Sequence, residues 1–204
     1  MLNKYIYEDK TLEKAIQKCK DELKLTEEDI IYNEEFQKGN LLKSDKVIIK
    51  VIKKEELETN IKNYLQEISK YIGIDIESEI FITSENIKIK LNSNNPSAII
   101  GKNGKMLNSI QVILKRYLEL LTEMQLRVNL DIENYKERKI EQLEKDIRRI
   151  VKDVINTKVD VKLDEMNSYE RRIVHNIVSE YDNLTSESEG VAPHRYVVIK
   201  YIER

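Results

Sequence analysis

The sequence predicts an α+β fold made of three small mixed modules in series, and three observations support that prediction. The chain has 204 residues, which is enough for two or three small domains. Segments with helical periodicity alternate with segments that have the periodicity of strands. Glycine and proline are scarce, at 5 and 2 residues, which argues against long disordered linkers. We place the modules at residues 1–54, 55–133 and 134–204.

The first module is expected to have the order β-α-β-β. Thr11 is positioned to cap its helix. Cys19 falls on the apolar face of that helix, so we interpret the thiol as a core residue and not as a reactive group. The expected elements are a strand at 3–7, a helix after Thr11, and strands at Asp29–Phe36 and Lys46–Ile52 around a turn at Gly39-Asn40.

The second module is expected to have the order α-β-β-α-α-β. Gly73 follows its first helix in the position of a C-cap, and Pro96 lies in the first turn of a later, short helix. The expected elements are a helix over Leu57–Ile72, strands at Ile74–Thr83 and Ile87–Leu91, a short helix from Asn95, a long helix over Met106–Leu121 and a strand at Leu126–Ile132.

The third module is expected to begin with a charged amphipathic helix from about Asn134 to Asn156. A second helix carries an apolar stripe that is expected to be buried, formed by Met166, Tyr169, Ile173, Ile177 and Tyr181. The remaining expected elements are a strand at Val159–Leu163, the second helix over Met166–Tyr181 and a last strand at Tyr196–Ile202.

A Gly-x-x-Gly turn joins two helices of the second module, in the segment Ile99-Ile100-Gly101-Lys102-Asn103-Gly104-Lys105. Because glycine has no Cβ, such a turn can bring its backbone N–H groups close to another backbone. The turn also opens a helix whose first N–H groups are unpaired and lie at the positive end of the helix dipole. This arrangement suits a phosphodiester. The alternative interpretation is a helix–turn–helix corner with incidental lysines.

Charge is segregated around this turn. The chain has 35 Lys+Arg against 37 Asp+Glu, so any binding of nucleic acid must come from a local patch. Asp and Glu are nevertheless absent from Asn86 to Leu118. The basic residues of that stretch are Lys88, Lys90, Lys102, Lys105, Lys115 and Arg116.

Enzyme, metal and membrane functions find little support. The lone cysteine excludes an intrachain disulfide and a cysteine-rich zinc site. The two histidines and the cysteine form no recognisable triad, and a His175/His194 metal pair lacks supporting ligand spacing. We therefore expect no catalytic residues, no metal and no cofactor. No signal peptide and no apolar run of membrane-spanning length is found, so we expect a cytoplasmic protein without membrane insertion.

Arg171 and His175 are four residues apart and share one face of the second helix of the third module. That face can hold phosphate, and a protonated His175 would strengthen the contact as the pH falls from about 8 to 6. The alternative is an ordinary solvated face, with His175 hydrogen-bonded to a loop. His194 and Arg195, at the start of the last strand, can come near the same face.

The element order and the Ile-Gly-x-x-Gly signature of the second module resemble a type II KH domain. The third module resembles an R-three-H domain, named for Arg-x-x-x-His, through Arg171-Arg172-Ile173-Val174-His175 and two later segments, Ser188-Glu189-Gly190 and Pro193–Ile199. With the small module in front, the whole chain is similar to the Jag family of SpoIIIJ-associated proteins. The first module is the poorest match, because Lys38–Asp45 has one glycine where family members carry a glycine-rich turn.

The resemblance implies that the protein binds single-stranded RNA, with the KH turn clamping the backbone of about four nucleotides. Gly101 and Gly104 would allow the close approach, two lysines would neutralise phosphates, and Ile99 and Ile100 would form the floor of a base groove. The expected RNA-binding residues are Ile99, Ile100, Gly101, Lys102, Asn103, Gly104 and Lys105 in the turn, and Arg171, His175 and Arg195 in the third module.

The resemblance also implies protein partners and a cellular role. These are a small KH-domain protein, or a second copy of this chain, bound through the KH domain, and a membrane protein bound through the N-terminal module. The implied role lies in cell elongation, division or envelope biogenesis. The alternative function is a protein-interaction scaffold that uses the KH face for dimerisation and leaves it closed to RNA.

Overall fold

The structure of the chain, a computed structural model, describes residues 2–39 and 45–203. Within these ranges the chain forms six α-helices and three three-stranded sheets. They divide into two units, Met1–Glu133 and Asn134–Arg204, called the first and the second unit below. The predicted α+β class is confirmed, and each of the three predicted modules contains one of the sheets.

The first module has the predicted order β-α-β-β. Its elements are β1 (Tyr5–Asp9), α1 (Leu12–Leu23), β2 (Ile30–Gln37) and β3 (Lys46–Lys53), and the sheet order is β1-β3-β2 with antiparallel pairs. Thr11 caps α1 as predicted, since its hydroxyl accepts from the Lys14 N–H. Cys19 is fully buried in the core under the sheet. Residues 40–44, which include part of the predicted Gly39-Asn40 turn and of the one-glycine segment, lie outside the described residues.

The second module has the predicted order α-β-β-α-α-β. Its elements are α2 (Lys54–Ile72), β4 (Ile76–Ile82), β5 (Asn86–Ser93), α3 (Pro96–Ile100), α4 (Lys105–Thr122) and β6 (Arg127–Ile132). The sheet order is β4-β5-β6, with β5 and β6 parallel. Gly73 ends α2 as predicted, and the Asn95 side chain caps α3 by accepting from the Ala98 N–H.

The helices of this module cover one face of its sheet. Ile87 and Ile89 of β5 point to that face and are fully buried, whereas the alternating Lys88 and Lys90 are exposed on the other face. Helices α2 and α4 are held together partly by Tyr64 and Tyr117, whose rings stack with centroids 4.1 Å apart and planes at 7°. The sheet therefore has a core side and an open side, and Lys88 and Lys90 belong to the open side.

The first module is fixed to the second within the first unit. Glu123, at the end of α4, pairs with Lys4 at 2.7 Å and with Lys50 at 3.2 Å. Hydrogen bonds from these lysines hold the pKa of the Glu123 carboxyl below its usual value. At the start of α2, the Glu56 carboxylate accepts from the Asn3 N–H at 3.1 Å. The start of α2 and the end of α4 are thus both tied to the first module, through the segment before β1 and through Lys50 of β3.

The second unit contains the third module, with α5 (Tyr135–Thr157), β7 (Val161–Lys162), α6 (Ser168–Val178), β8 (Leu184–Glu189) and β9 (Tyr196–Tyr201). Its sheet order is β7-β9-β8, and both pairs are antiparallel. Strand β8 was not predicted. Its sequence is polar except for Leu184, so the strand depends on pairing with β9 and not on a local apolar pattern.

The buried face of α6 contains most of the predicted stripe, since Ile177 is buried and Met166, Ile173 and Tyr181 are partly buried against the same core, but Tyr169 departs from the prediction. Val174, Ile177 and Val178 are buried, whereas Tyr169, which was assigned to the buried stripe, is 63% exposed. Glu170 takes the buried position next to Tyr169, because its carboxylate accepts from the Asn167 N–H in a capping box and lies 2.6 Å from the Lys139 ammonium. A buried carboxylate with two partners therefore replaces the expected apolar residue.

Candidate nucleic-acid interface

The Gly-x-x-Gly turn lies between α3 and α4 and has a backbone that requires glycine at its first position. Gly101 has φ 67° and ψ −179°, a combination that residues with a side chain avoid. A Cβ built on Gly101 would lie 2.7 Å from the Cβ of Met106, in the first turn of α4. Gly101 is thus needed for the turn to fold, independently of any ligand that approaches it.

The turn presents three polar side chains to solvent. Lys102, Asn103 and Lys105 are exposed, while Gly104 is buried beneath them with φ 80°. Asn103 also has a positive φ, 56°, a conformation that asparagine tolerates better than most residues. The Lys105 N–H donates to the Lys102 carbonyl, which closes the turn at the beginning of α4. The exposed atoms therefore gather at the N-terminus of an 18-residue helix.

The two isoleucines before the turn are not equivalent. Ile99 is fully buried in the core between the helices and the sheet. Ile100 is partly exposed. Of the two residues expected to floor a base groove, only Ile100 therefore offers surface to a ligand, and Ile99 supports it from the core.

The positive charge at the turn comes from two lysines. Lys115 and Arg116 lie further along α4 and pair with Glu119 at 3.7 Å and 3.2 Å. The other pair of lysines in the acid-free stretch, on β5, lies on the open side of the sheet. In the described part of the chain, neither Lys102 nor Lys105 makes an ion pair. The acid-free stretch thus leaves a small cationic site at the turn itself.

In the second unit, His175 of α6 is held between two serines of β8. Its Nδ1 lies 2.7 Å from the Ser186 hydroxyl and its Nε2 lies 2.9 Å from the Ser188 hydroxyl. Both serines point to the helix-covered face of the sheet, because they pair in register with the buried Ile199 and Val197. The alternative interpretation placed the hydrogen-bond partner of His175 in a loop, but both partners lie on strand β8. Ser186 was missed because no local pattern marks it.

Arg171 and Arg195 meet at one backbone segment. The Arg171 guanidinium donates to the Met166 carbonyl at 2.9 Å, and the Met166 N–H donates to the Arg195 carbonyl at 2.9 Å. The Arg195 Nε is buried and has no acceptor among the described residues. His194 is instead exposed and lies 2.9 Å from the Glu165 carboxylate. The structure thus brings Arg195 near Arg171, as the sequence suggested, and directs His194 to Glu165.

The surroundings of His175 disfavour its charged form. Burial, and then the nearby Arg171 guanidinium, lower the pKa of the His175 imidazole. The ring therefore gains its proton at a lower pH than a free histidine does. This direction opposes the expectation that His175 adds a phosphate contact as the pH falls from about 8 to 6.

We expect His175→Ala to lower the free energy of unfolding of the second unit by about 1–3 kcal/mol, because it leaves the two serine hydroxyls without their shared partner. Since the pKa of His175 is depressed, its neutral form stabilises the fold above pH ~6.5 and that stability is lost as the pH falls through the folded pKa. The variant should therefore lose less stability on acidification than the wild type. Exchange rates of the slowest β9 amides, measured from pH ~7.5 to ~5.5, test both effects.

His194→Ala is the matched control for this variant. The His194 side chain is 70% exposed in its pair with Glu165, so its removal should leave stability nearly unchanged. If both variants behave alike, or if His175→Ala keeps the wild-type stability, the structural role of His175 is wrong.

Two further observations bear on the class of protein. Among residues 2–39 and 45–203, no group of three or more His, Cys, Asp or Glu side chains is placed to hold a metal ion. None of the described helices is both long enough and apolar enough to span a bilayer.

Comparisons with known proteins identify two domains and a family. A family model described as the KhpA/KhpB KH domain matches residues 58–140, and a model of the R-three-H domain matches residues 138–201. A Clostridium symbiosum protein named RNA-binding protein KhpB is 32% identical over 196 residues, which cover 93% of this chain and 88% of that protein. The Bacillus subtilis protein of the same name is 26% identical over 94% of this chain and 95% of its own length. A third, from Streptococcus pneumoniae, is 30% identical over 71% of this chain but only 44% of its own length.

A KH domain followed by an R-three-H domain, each with its signature residues in place, defines a protein of the RNA-binding class. The chain belongs to the KhpB family of RNA-binding proteins, which is the Jag family that its sequence resembles. This is a family of RNA-binding proteins and not of enzymes.

Proposed function

We propose that this protein binds single-stranded RNA at the turn between α3 and α4, with Gly101 to Lys105 holding the phosphate backbone. The observation that carries the proposal is the exposure of Lys102, Asn103 and Lys105 at the N-terminus of α4, where neither lysine makes an ion pair with any described residue. Backbone N–H groups, the helix dipole and the lysine charges all favour a phosphate at that position. Ile100 supplies apolar surface beside the turn for a base.

We propose a second contact in the second unit, at Arg171 and Arg195. The support is that both arginines are partly exposed and lie at the same backbone segment, where the Arg171 guanidinium donates to the Met166 carbonyl and the Met166 N–H donates to the Arg195 carbonyl. His175 acts here through its serine partners, which fix α6 on β8, and so positions Arg171 four residues earlier on the same helix.

The small number of cations predicts the character of the binding. Two lysines at the turn and two arginines in the second unit give about four phosphate contacts, so the logarithm of the affinity should fall with the logarithm of salt concentration with a slope near −3 for a single strand. A duplex presents paired bases and a rigid backbone, which a narrow turn cannot clamp in the same way. We therefore expect single-stranded RNA to bind more tightly than duplex RNA.

Fluorescence anisotropy of the full chain with labelled single-stranded and duplex RNA of equal length tests this proposal. We expect at least a tenfold preference for the single strand, which corresponds to about 1.4 kcal/mol. Equal or tighter binding to the duplex would contradict it.

The alternative, a protein-interaction scaffold, is supported by one specific observation. Val112, Ile113 and Leu120 on the outer side of α4 are 65%, 53% and 66% exposed, and large exposed apolar residues on one helix mark interaction surfaces. A second copy, or a small KH-domain protein, is the proposed occupant. Sedimentation of the full chain during the RNA titration distinguishes the functions, because a scaffold self-associates without needing RNA.

The wider role in cell elongation, division or envelope biogenesis is part of the same proposal and rests on the family alone. A membrane-protein partner of the N-terminal module has the same basis.

A further inference from the structure

We infer that Gln111 limits base discrimination at the proposed RNA site. Its side chain accepts a hydrogen bond from a backbone N–H at the sheet edge, and a base would otherwise contact that N–H. The inference rests on the proposed function and concerns specificity, a property separate from binding itself. It depends on one hydrogen bond and on the position of that bond relative to the turn.

Strand β6 lies at an edge of its sheet and pairs with β5 on one side. The Arg127 N–H donates to the Glu85 carbonyl at 2.9 Å, so it points toward β5. Because successive N–H groups of a strand alternate between its two sides, the Leu130 N–H points to the outer edge. Outer-edge N–H groups normally stay available for another strand or a ligand. Here the Leu130 N–H donates to Gln111 Oε1 at 3.0 Å.

Gln111 lies in the first half of α4, the helix that begins directly after the turn. It is seven residues beyond Gly104, with Asn108 between them, and residues with this spacing form one stripe along a helix. At 1.5 Å per residue, Gln111 lies about 10 Å along the helix from the turn. A strand of about four nucleotides clamped at the turn and running along this stripe can reach it.

The chemical consequence concerns hydrogen bonding to bases. Proteins distinguish the bases of single-stranded RNA by hydrogen bonds to their Watson–Crick edges. A rigid edge N–H is a suitable donor for such a bond, but the Leu130 N–H is satisfied by the Gln111 oxygen. A base that accepted from it would have to displace that oxygen, which cancels most of the gain. Phosphate contacts and apolar contacts then dominate, and these are shared by all bases.

Gln111→Met tests the inference, because methionine has a similar size and cannot accept this hydrogen bond well. The affinities of the wild-type chain and of the variant are measured for octamers of adenylate, cytidylate and uridylate. We expect wild-type affinities within about threefold of one another and a spread of about five- to tenfold in Gln111→Met, the value of one new hydrogen bond. The Leu130 amide should also exchange faster with solvent in the variant and be protected again by the octamer that binds best.

Gln111→Glu is the matched control, because a glutamate oxygen can still accept from Leu130. It should keep the narrow spread, although its charge lowers all three affinities. A narrow spread in Gln111→Met would overturn the inference while leaving the proposed function intact. Failure of the wild type to bind any octamer would instead overturn the proposed function.

Discussion

Replacing Lys102 and Asn103 together with aspartate is expected to lower the affinity for single-stranded RNA about a hundredfold. The change removes one cation and adds two carboxylates at the N-terminus of α4, where we place a phosphate. The loss of a charge-assisted contact together with repulsion amounts to about 3 kcal/mol. Both side chains are exposed, and aspartate tolerates the positive φ of Asn103, so the fold should persist. Anisotropy in ~0.1 M salt measures the affinity, and thermal melting checks the fold.

Lys88→Asp with Asn92→Asp is the matched control. It makes the same change of charge at exposed positions of β5 on the open side of the sheet, away from the turn. We expect its affinity to stay within about threefold of the wild type, since distant surface charges are screened. An equal loss in both variants would assign the effect to overall charge. Unchanged affinity in the folded turn variant would remove the turn from the RNA site and favour the scaffold function.

Most of the fold could be predicted from the sequence because its signals are local. The Thr11 cap, the Gly73 C-cap and the Asn95-Pro96 helix start all lie where the sequence placed them. Strand β8 could not be predicted, because the segment Leu184–Glu189 has no apolar alternation and becomes a strand only by pairing with β9. A pairing partner that lies further along the chain leaves no local pattern.

The misassignment of Tyr169 to the buried stripe of α6 has a tertiary cause. Periodicity favoured Tyr169 as a buried residue because tyrosine is more apolar than glutamate. In the structure, Lys139 of α5 pairs with the Glu170 carboxylate and makes its burial acceptable. The burial of Glu170 in place of Tyr169 therefore depends on an ion pair between two helices, which sequence periodicity does not report.

The candidate site also has one part that the sequence predicted and another part that depends on tertiary contacts. The turn and its exposed lysines were predicted, since Gly-x-x-Gly between two apolar helices is a local motif. The serine partners of His175 depend on β8, and the Gln111–Leu130 bond depends on how α4 lies along β6. A glutamine on an amphipathic helix is an ordinary surface residue until its partner is known.

Gly101→Ala is expected to destabilise the first unit by about 3–5 kcal/mol. A side chain at φ 67° and ψ −179° costs about 1–3 kcal/mol in backbone strain. The new Cβ would also lie 2.7 Å from the Met106 Cβ, a contact that only movement of α4 can relieve, at about 1–3 kcal/mol. Exchange of the slowest amides in α4 and β5 measures the free energy of unfolding of this unit. RNA affinity should fall as well, because the start of α4 must shift.

Gly73→Ala separates the cost of backbone strain from the cost of the contact with Met106. Gly73 has φ 69°, close to that of Gly101, but a Cβ built on it meets nothing within 4 Å. We expect this control to lose only about 1–2 kcal/mol, the cost of a left-handed residue with a side chain, and to bind RNA like the wild type. Equal destabilisation in the two variants would show that the contact with Met106 relaxes freely. In that case the turn is deformable, and a loss of RNA affinity confined to Gly101→Ala would assign Gly101 to the approach of RNA and not to the fold.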